Sequence, residues 1–260
     1  MKSILYCGDT ELTGAASYLA GLMTSFGWSF DYLPSHLPMT TELLDKPRSL
    51  LILSDFPAAR FSPDCQRQAL RLIERGCGLL MIGGWESFHG NGGDWNGSEL
   101  ASALPVEMMD VDDRVHFPQS AWLSPTVDHP VTTNIPWSMR PPAIGGLNQV
   151  VAKPGSNTLL NAHSFEISHD ELPDRASVDS PVWSFRSHQM YPALVVGNYG
   201  SGRTAAFMSD VAPHWVGGFV DWGTTRVLAQ AKNATSIDVG SDYARFWNQL
   251  LHWTAEPVLT

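Results

Sequence analysis

The chain has 260 residues, with 16 basic against 26 acidic side chains, a net charge of -10 and 43% hydrophobic residues. No Lys/Arg cluster offsets the acidic excess, so the electrostatic footprint of a nucleic-acid binder is missing and no nucleic-acid partner is expected. No apolar run approaches the roughly 20 residues of a membrane span, and MKSILYCGD enters a strand with no room for a signal peptide, which points to a cytoplasmic protein with no membrane partner. Cys7, Cys65 and Cys77 lack CxxC spacing and suggest neither a disulfide framework nor a zinc site, so reduced thiols are expected. The length suits a single domain over 1–260, with an irregular, β-rich elaboration at 104–190.

In chain order, Lys2 to Cys7 reads as a strand closed by Gly8-Asp9, and Leu12 to Phe26 as a helix stopped by Gly27. Trp28 to Leu33 alternates like a second strand, and Ser49 to Leu53 forms a third, ending in Ser54-Asp55. Ser62-Pro63-Asp64 is an N-cap followed by proline at the first helical position, and Gly76 closes that helix. Leu79 to Ile82 is an uninterrupted apolar run, the pattern of a strand buried on both faces. Strand then helix, three times over, predicts an α/β fold: a doubly wound, flavodoxin-like, mostly parallel sheet with helices on both faces.

From Leu104 to about Pro142 the prolines predict extended chain and turns, while Gln149–Ala152 and Thr158–Ala162 read as strands. His163 to Pro181 is polar, carries Glu166, Asp170, Glu171, Asp174 and Asp179, and is expected to be a mobile loop. A hairpin follows, Ala193–Tyr199 and Thr204–Met208 around Gly200-Ser201-Gly202. The chain closes with a helix from Ser241 to Trp253.

The strongest functional candidate is the stretch CGLLMIGGWESFHGNGGDWNG, residues 77–97, where a buried strand empties through Gly83-Gly84 into Trp85, Glu86, Ser87, His89 and Asp94. Open sheets of this class keep their ligands beyond the carboxyl ends of the strands. Glu86, at an expected strand-to-helix turn, can serve as acid, base or anchor, or simply cap the turn. Ser87 is a nucleophile only if His89 or His214 reaches it; without G-x-S-x-G a hydrogen-bonding role is the alternative. His89, Asp94 and His214 bear metal-ligating groups, but no HExxH-like spacing joins them, so neither a metal nor another cofactor is expected. Gly90 to Gly97 matches no phosphate-binding pattern. Asp9, Asp210 and Trp215 end or follow other strands and complete the expected ligand-binding set. Trp85, Trp95, Trp215 and Trp222 lie in loops, where aromatic faces can stack on a sugar.

The segments GDT, RGCGLLMIGGWESFHG, DHPVTTNIP and YGSGRTAAFMSDVAPHW, spread over nearly the whole chain, resemble the class I glutamine amidotransferase-like superfamily. Within it the match is to the branch close to trehalose-utilisation (ThuA-like) proteins. The resemblance implies a nucleophilic cysteine on a sharp turn after a strand, with a later histidine and an acidic residue. Here that elbow falls on Trp85, with Glu86 next, and His214 lies in the region of the histidine without His-x-Glu. The expectation is therefore a relative without the cysteine triad, whose pocket binds a small polar, carbohydrate-like metabolite and, if catalytic, uses Glu86 and His214. The alternatives are a non-catalytic ligand-binding or assembly module whose apolar surface forms homo-oligomers, and an active glutamine amidotransferase.

Overall fold

The computed structural model describes residues 3–169 and 182–258. Its first part contains β1 (Ser3–Gly8), α1 (Ala16–Ser25), β2 (Ser29–Leu33), α2 (Thr41–Asp45), β3 (Leu50–Ser54), α3 (Pro63–Glu74) and β4 (Gly78–Ile82). α3 starts where the sequence says it should: Ser62 Oγ accepts the Cys65 N–H at 3.3 Å, satisfying an otherwise unpaired donor of the first turn, and Pro63 has no N–H to leave unpaired. α1 begins four residues later than its apolar pattern suggests, because Glu11 to Gly14 close a turn of their own, with Gly14 N donating to Glu11 O at 3.2 Å. Every residue of β3 and β4 is buried, as strands covered on both faces must be.

The middle supplies β5 (Val106–Met108), β6 (Arg114–Pro125), β7 (Ala143–Asn148), β8 (Val150–Ala152), β9 (Asn157–His169), β10 (Trp183–Tyr199) and β11 (Gly202–Phe207). The region read as extended chain and turns thus contains a twelve-residue strand, β6. Its alternation is concealed by Pro118 and by a register irregularity between His116 and Ala121 in its pairing with β7. The expected loop at 163–181 also needs correction: His163 to His169 belong to β9, and Glu166 pairs with Arg186 across the ladder. Asp170, Glu171, Asp174 and Asp179 lie outside the described residues. The last part adds α4 (Pro213–Val216), β12 (Arg226–Ala229), β13 (Ile237–Gly240) and α5 (Ser241–Thr254); the two short strands were not foreseen.

One nine-stranded sheet runs through the protein in the order β2-β1-β3-β4-β11-β10-β9-β6-β7. From β2 to β11 the neighbours are parallel, and from β11 to β7 they are antiparallel, so a parallel α/β core continues into a β-rich wing built from the middle of the chain. Strands β5 with β8 and β12 with β13 form separate pairs. α5 closes the core with Tyr243, Phe246, Trp247, Leu250 and Leu251, all fully buried, and Phe207 of β11 meets the rings of Phe246 and Trp247 at 5.5 and 5.3 Å. Among the described residues no helix is long and apolar enough to cross a membrane.

Removing the Phe246 ring leaves a cavity in this aromatic layer. Phe246→Ala should cost about 3–5 kcal/mol in urea denaturation, whereas Leu228→Ala, at a 75% exposed position, should change stability by less than about 0.5 kcal/mol.

Candidate functional site at the carboxyl edge of the parallel strands

Three parallel strands run out in the same way: a small residue, then aspartate. β1 gives Gly8-Asp9, β3 gives Ser54-Asp55, and β11 is followed by Ser209-Asp210. β4 lies between β3 and β11 and leaves the sheet through Gly83-Gly84. These glycines are required by space: a Cβ on Gly84 would sit 2.1 Å from Asp55 Oδ1, and one on Gly83 would sit 2.0 Å from the Met208 carbonyl oxygen. The backbone of β4 can therefore pass directly under the Asp55 carboxylate, which no side chain at 84 would allow.

Asp9 and Asp55 both adopt left-handed backbone conformations, with φ of 46° and 48°. Aspartate tolerates this region better than most residues, but the conformation is held only where the surroundings fix it. For Asp9 the carbonyl accepts from Ser35 N at 2.7 Å and the Tyr32 hydroxyl at 3.2 Å, and its own N–H reaches Ser54 O at 3.2 Å. For Asp55 the N–H donates to Ser87 Oγ at 2.9 Å, and Oδ1 accepts from Glu86 N at 2.7 Å.

The three carboxylates act on one another electrostatically. Burial, followed by the charge of Asp210, pushes Asp9 up to about 7, against the downward pull of His214 and Tyr6. Asp55 is raised well above the usual carboxylate range, again by burial first and then by Asp210 and Asp9. His214 Nε2 lies 2.8 Å from Asp210 Oδ2, and this contact raises the imidazole so that it holds its proton more tightly. The other oxygen of Asp210 accepts from the N–H groups of Val211 and Ala212. The Tyr6 hydroxyl is fully buried and makes no hydrogen bond of ordinary geometry, yet the charges of Asp9, Asp210 and Asp55 all raise its pKa. Protons in such a group belong to the set rather than to one residue.

Above the cluster opens a cleft of about 320 Å³ bordered by Asp9, Asp55, Trp85 and Glu86, with Ser35 and Asn91 at its sides. A larger hollow of about 500 Å³ is lined by Asp128 and His129 beside Trp137 but has no counterpart to the cluster of carboxylates, so the chemistry selects the smaller one. Trp85 is 49% exposed, with the Arg114 guanidinium 4.4 Å from its ring centroid and tied to Asp112. The loop carrying Trp85 and Glu86 is anchored from beneath by two fully buried rings, Phe88 and Trp95, the latter donating through Nε1 to Phe56 O at 2.8 Å. From the antiparallel wing, Asp113 accepts from His89 N and Gly90 N at 3.0 Å each and from Asn148 Nδ2 at 2.7 Å, while Asn148 Oδ1 accepts from Gly84 N at 2.9 Å.

Of the residues expected from the sequence, Asp9, Trp85 and Glu86 border the cleft, and Asp210 and His214 join it through their charges. Ser87 is 1% exposed and braces the Asp55 turn, a structural use of its hydroxyl. His89 faces the loop itself, with Nδ1 2.7 Å from Asn96 Oδ1 and 4.0 Å from the exposed Asp94. Trp95, Trp215 and Trp222 are 0%, 4% and 7% exposed, so the expectation that they stack on a ligand is corrected: their indole N–H groups serve Phe56 O, His116 and Arg140 O. Among the described residues no three His, Cys, Asp or Glu side chains are placed to hold a metal. β4 is not followed by a helix; a short 3-10 turn at Glu99–Ala103 is the next helical element. All three cysteines are buried, and burial pushes the Cys7 thiol up and that of Cys77 to about 12. Asp55, Tyr6, Asp113 and Asn148 were missed. The repeated small-residue–aspartate strand ending could have revealed Asp55; nothing local marks the others.

The raised Asp9 has a consequence for stability. The unfolded chain releases this proton near pH 3.8 and the folded protein near 7, so the native state binds more protons across that window. The contribution of Asp9 to stability falls as pH rises, with a slope approaching about 1.4 kcal/mol per pH unit. Asp9→Asn should therefore gain stability relative to wild type between about pH 5 and 7 in urea denaturation; a difference independent of pH would contradict the raised pKa.

A family model described as “Putative glutamine amidotransferase” matches residues 9–173 and 172–256. The structure is similar to “Cytoplasmic Protein STM1381” from Salmonella typhimurium LT2, at 26% identity and a TM-score of 0.71, over 97% of this chain and 99% of that one. It is similar also to “Cytoplasmic Protein STM3548” from Salmonella typhimurium, at 23% identity and a TM-score of 0.71, over 98% and 100%. A “Putative thua-like protein” from Parabacteroides merdae ATCC 43184 shares the fold at 13% identity and a TM-score of 0.52, over 100% and 92%. No curated protein matches. The chain belongs to the glutamine amidotransferase-like family described as “Putative glutamine amidotransferase”.

Proposed function

We propose that the cleft binds a small, polyhydroxylated, carbohydrate-like metabolite and acts on it by acid–base chemistry with carboxylates, in place of the thiol chemistry of a glutamine amidotransferase. The observation that carries this reading is Asp9, which borders the cleft beside Glu86 with a pKa of about 7. A group poised near neutral pH exists in both protonation states and can give or take a proton in the same site. Glu86 is exposed at the opening, with its N–H anchored by Asp55. The exposed ring of Trp85 offers an apolar face to a sugar ring, and Ser35 and Asn91 offer polar groups to hydroxyls.

The reading that the nucleophilic cysteine is missing rests on Trp85 and Glu86, just past the Gly83-Gly84 pair that follows β4, and on three buried thiols, of which burial holds Cys7 and Cys77 protonated. Amide attack needs a thiolate with a base beside it. His214 does not border the cleft. Its proton is held against Asp210, so the acid–base pair we assign is Asp9 with Glu86, and His214 is the cation that balances the buried Asp210. A cytoplasmic location fits the name of the 26% identical Salmonella protein.

A non-catalytic binding module is the second reading, favoured by the turn after β4, which presents no helix N-terminus to a developing oxyanion. A panel of sugars and keto-sugars, followed by calorimetry and by NMR of products, separates the two. On the catalytic reading Asp9→Asn and Glu86→Gln should each lower turnover by about 10²-fold or more with binding changed only a few-fold. Binding without turnover would select the module, and a complete lack of binding would sink both. Glutamine should yield no ammonia, and thiol alkylation should leave that result unchanged.

A further inference from the structure

The balance of charge at the cleft goes further than a preference for hydroxyls. Asp9, Asp55 and Glu86 border it, Asp210 lies behind them, and no lysine, arginine or histidine stands among the bordering residues. His214 is the cation coupled to the cluster, and it is committed to Asp210. Arg114, over the Trp85 ring, is committed to Asp112 through two contacts, at 2.8 and 2.6 Å. An anionic ligand would be repelled. A metal ion is a poor fit because, among the described residues, no three carboxylate or imidazole groups converge as ligands. An organic cation has looser demands: an ammonium donates in three directions and needs no closed shell of ligands.

A separate observation points the same way. The Tyr6 hydroxyl is fully buried, lacks an ordinary hydrogen bond, and lies close enough to Asp9, Asp55 and Asp210 to feel the charge of each. A buried phenol without a partner is costly. It becomes a good donor to Asp9 once that carboxyl has given up its proton, the state that a positive charge in the cleft would favour. Trp85, whose ring already carries the Arg114 guanidinium at 4.4 Å, presents its half-exposed indole at the same opening as an apolar surface for the carbon skeleton of the ligand.

We infer that the cleft takes a ligand carrying an ammonium group beside its hydroxyls, of the amino-polyol or amino-sugar class, seated between the carboxylates of Asp9, Asp55 and Glu86 and against Trp85. This inference rests on the carbohydrate-like reading above and narrows it. Amine binding then displaces the Asp9 proton, so it strengthens as pH rises through neutrality. The groups around Asp9 that set this dependence are Asp55, Asp210, His214 and Glu86, together with the Tyr6 and Tyr32 hydroxyls.

Matched probes test it: glucamine against sorbitol and 6-amino-6-deoxyglucose against glucose, titrated calorimetrically into the intact protein. Both amines stay charged over the range used. Each amine should bind at least about tenfold more tightly than its neutral partner at about pH 7.5, a gap equivalent to about 1.4 kcal/mol. The advantage should shrink toward about pH 5.5 as the carboxyl cluster takes up protons. It should be reduced in Glu86→Gln and in Asp9→Asn, with circular dichroism confirming that both variants are folded. Equal binding of amine and neutral partner would overturn the amine inference and leave the polyol reading standing. No binding by any probe would overturn the amine inference, and the wider sugar panel then decides the polyol reading independently.

Discussion

The site depends on the close approach of β4 to the carboxylate of Asp55. Gly84 leaves room that any side chain would fill, since even a methyl there would come within 2.1 Å of Asp55 Oδ1. From that approach the rest follows. Asp55 can fold over the strand end and accept from Glu86 N, Glu86 is thereby held at the opening, and Asp9 and Asp210 on the neighbouring strands come within electrostatic reach. Three acidic groups gathered in a partly dehydrated place cannot all ionise without cost. Burial first, and then the charge of Asp210, gives an ordinary aspartate a pKa suited to neutral-pH chemistry.

The fold supplies this arrangement through the parallel half of the sheet and stabilises it through the antiparallel half. β1, β3, β4 and β11 deliver their carboxyl ends side by side, as a parallel sheet must. Asp113, just before β6, and Asn148, at the end of β7, reach back to hold Gly84, His89 and Gly90. The wing is thus tied to the loop that forms one wall of the cleft. Phe88 and Trp95 fill the space beneath that loop, so a segment rich in glycine is held in a defined shape by buried rings and a buried carboxylate.

The sequence revealed what depends on local pattern. The helix α3 could be read from Ser62-Pro63 and Gly76, β4 from its unbroken apolar run, and the position of the cleft from the polar residues after Gly83-Gly84. It concealed what depends on partners distant in the chain. β6 was hidden because prolines and a bulge break the period of two, and the fates of Trp95, Trp215 and Trp222 were hidden because burial in a loop leaves no periodic trace. Asp55 was legible only by comparing three strand endings. Ser87 could be read as a nucleophile only if His89 or His214 reached it, with a hydrogen-bonding role as the alternative, and in the structure its hydroxyl accepts from the backbone N–H of Asp55.

Asp9 holds its proton to near neutral pH because it is buried and lies beside the charge of Asp210. Carboxyl carbon-13 NMR, following Asp9 through a pH titration in wild type and in Asp210→Asn, tests it most directly. The expected wild-type midpoint is near 7, with a lower one in Asp210→Asn, where the neighbouring negative charge is removed. A wild-type midpoint near 3.8, unchanged by the substitution, would contradict it.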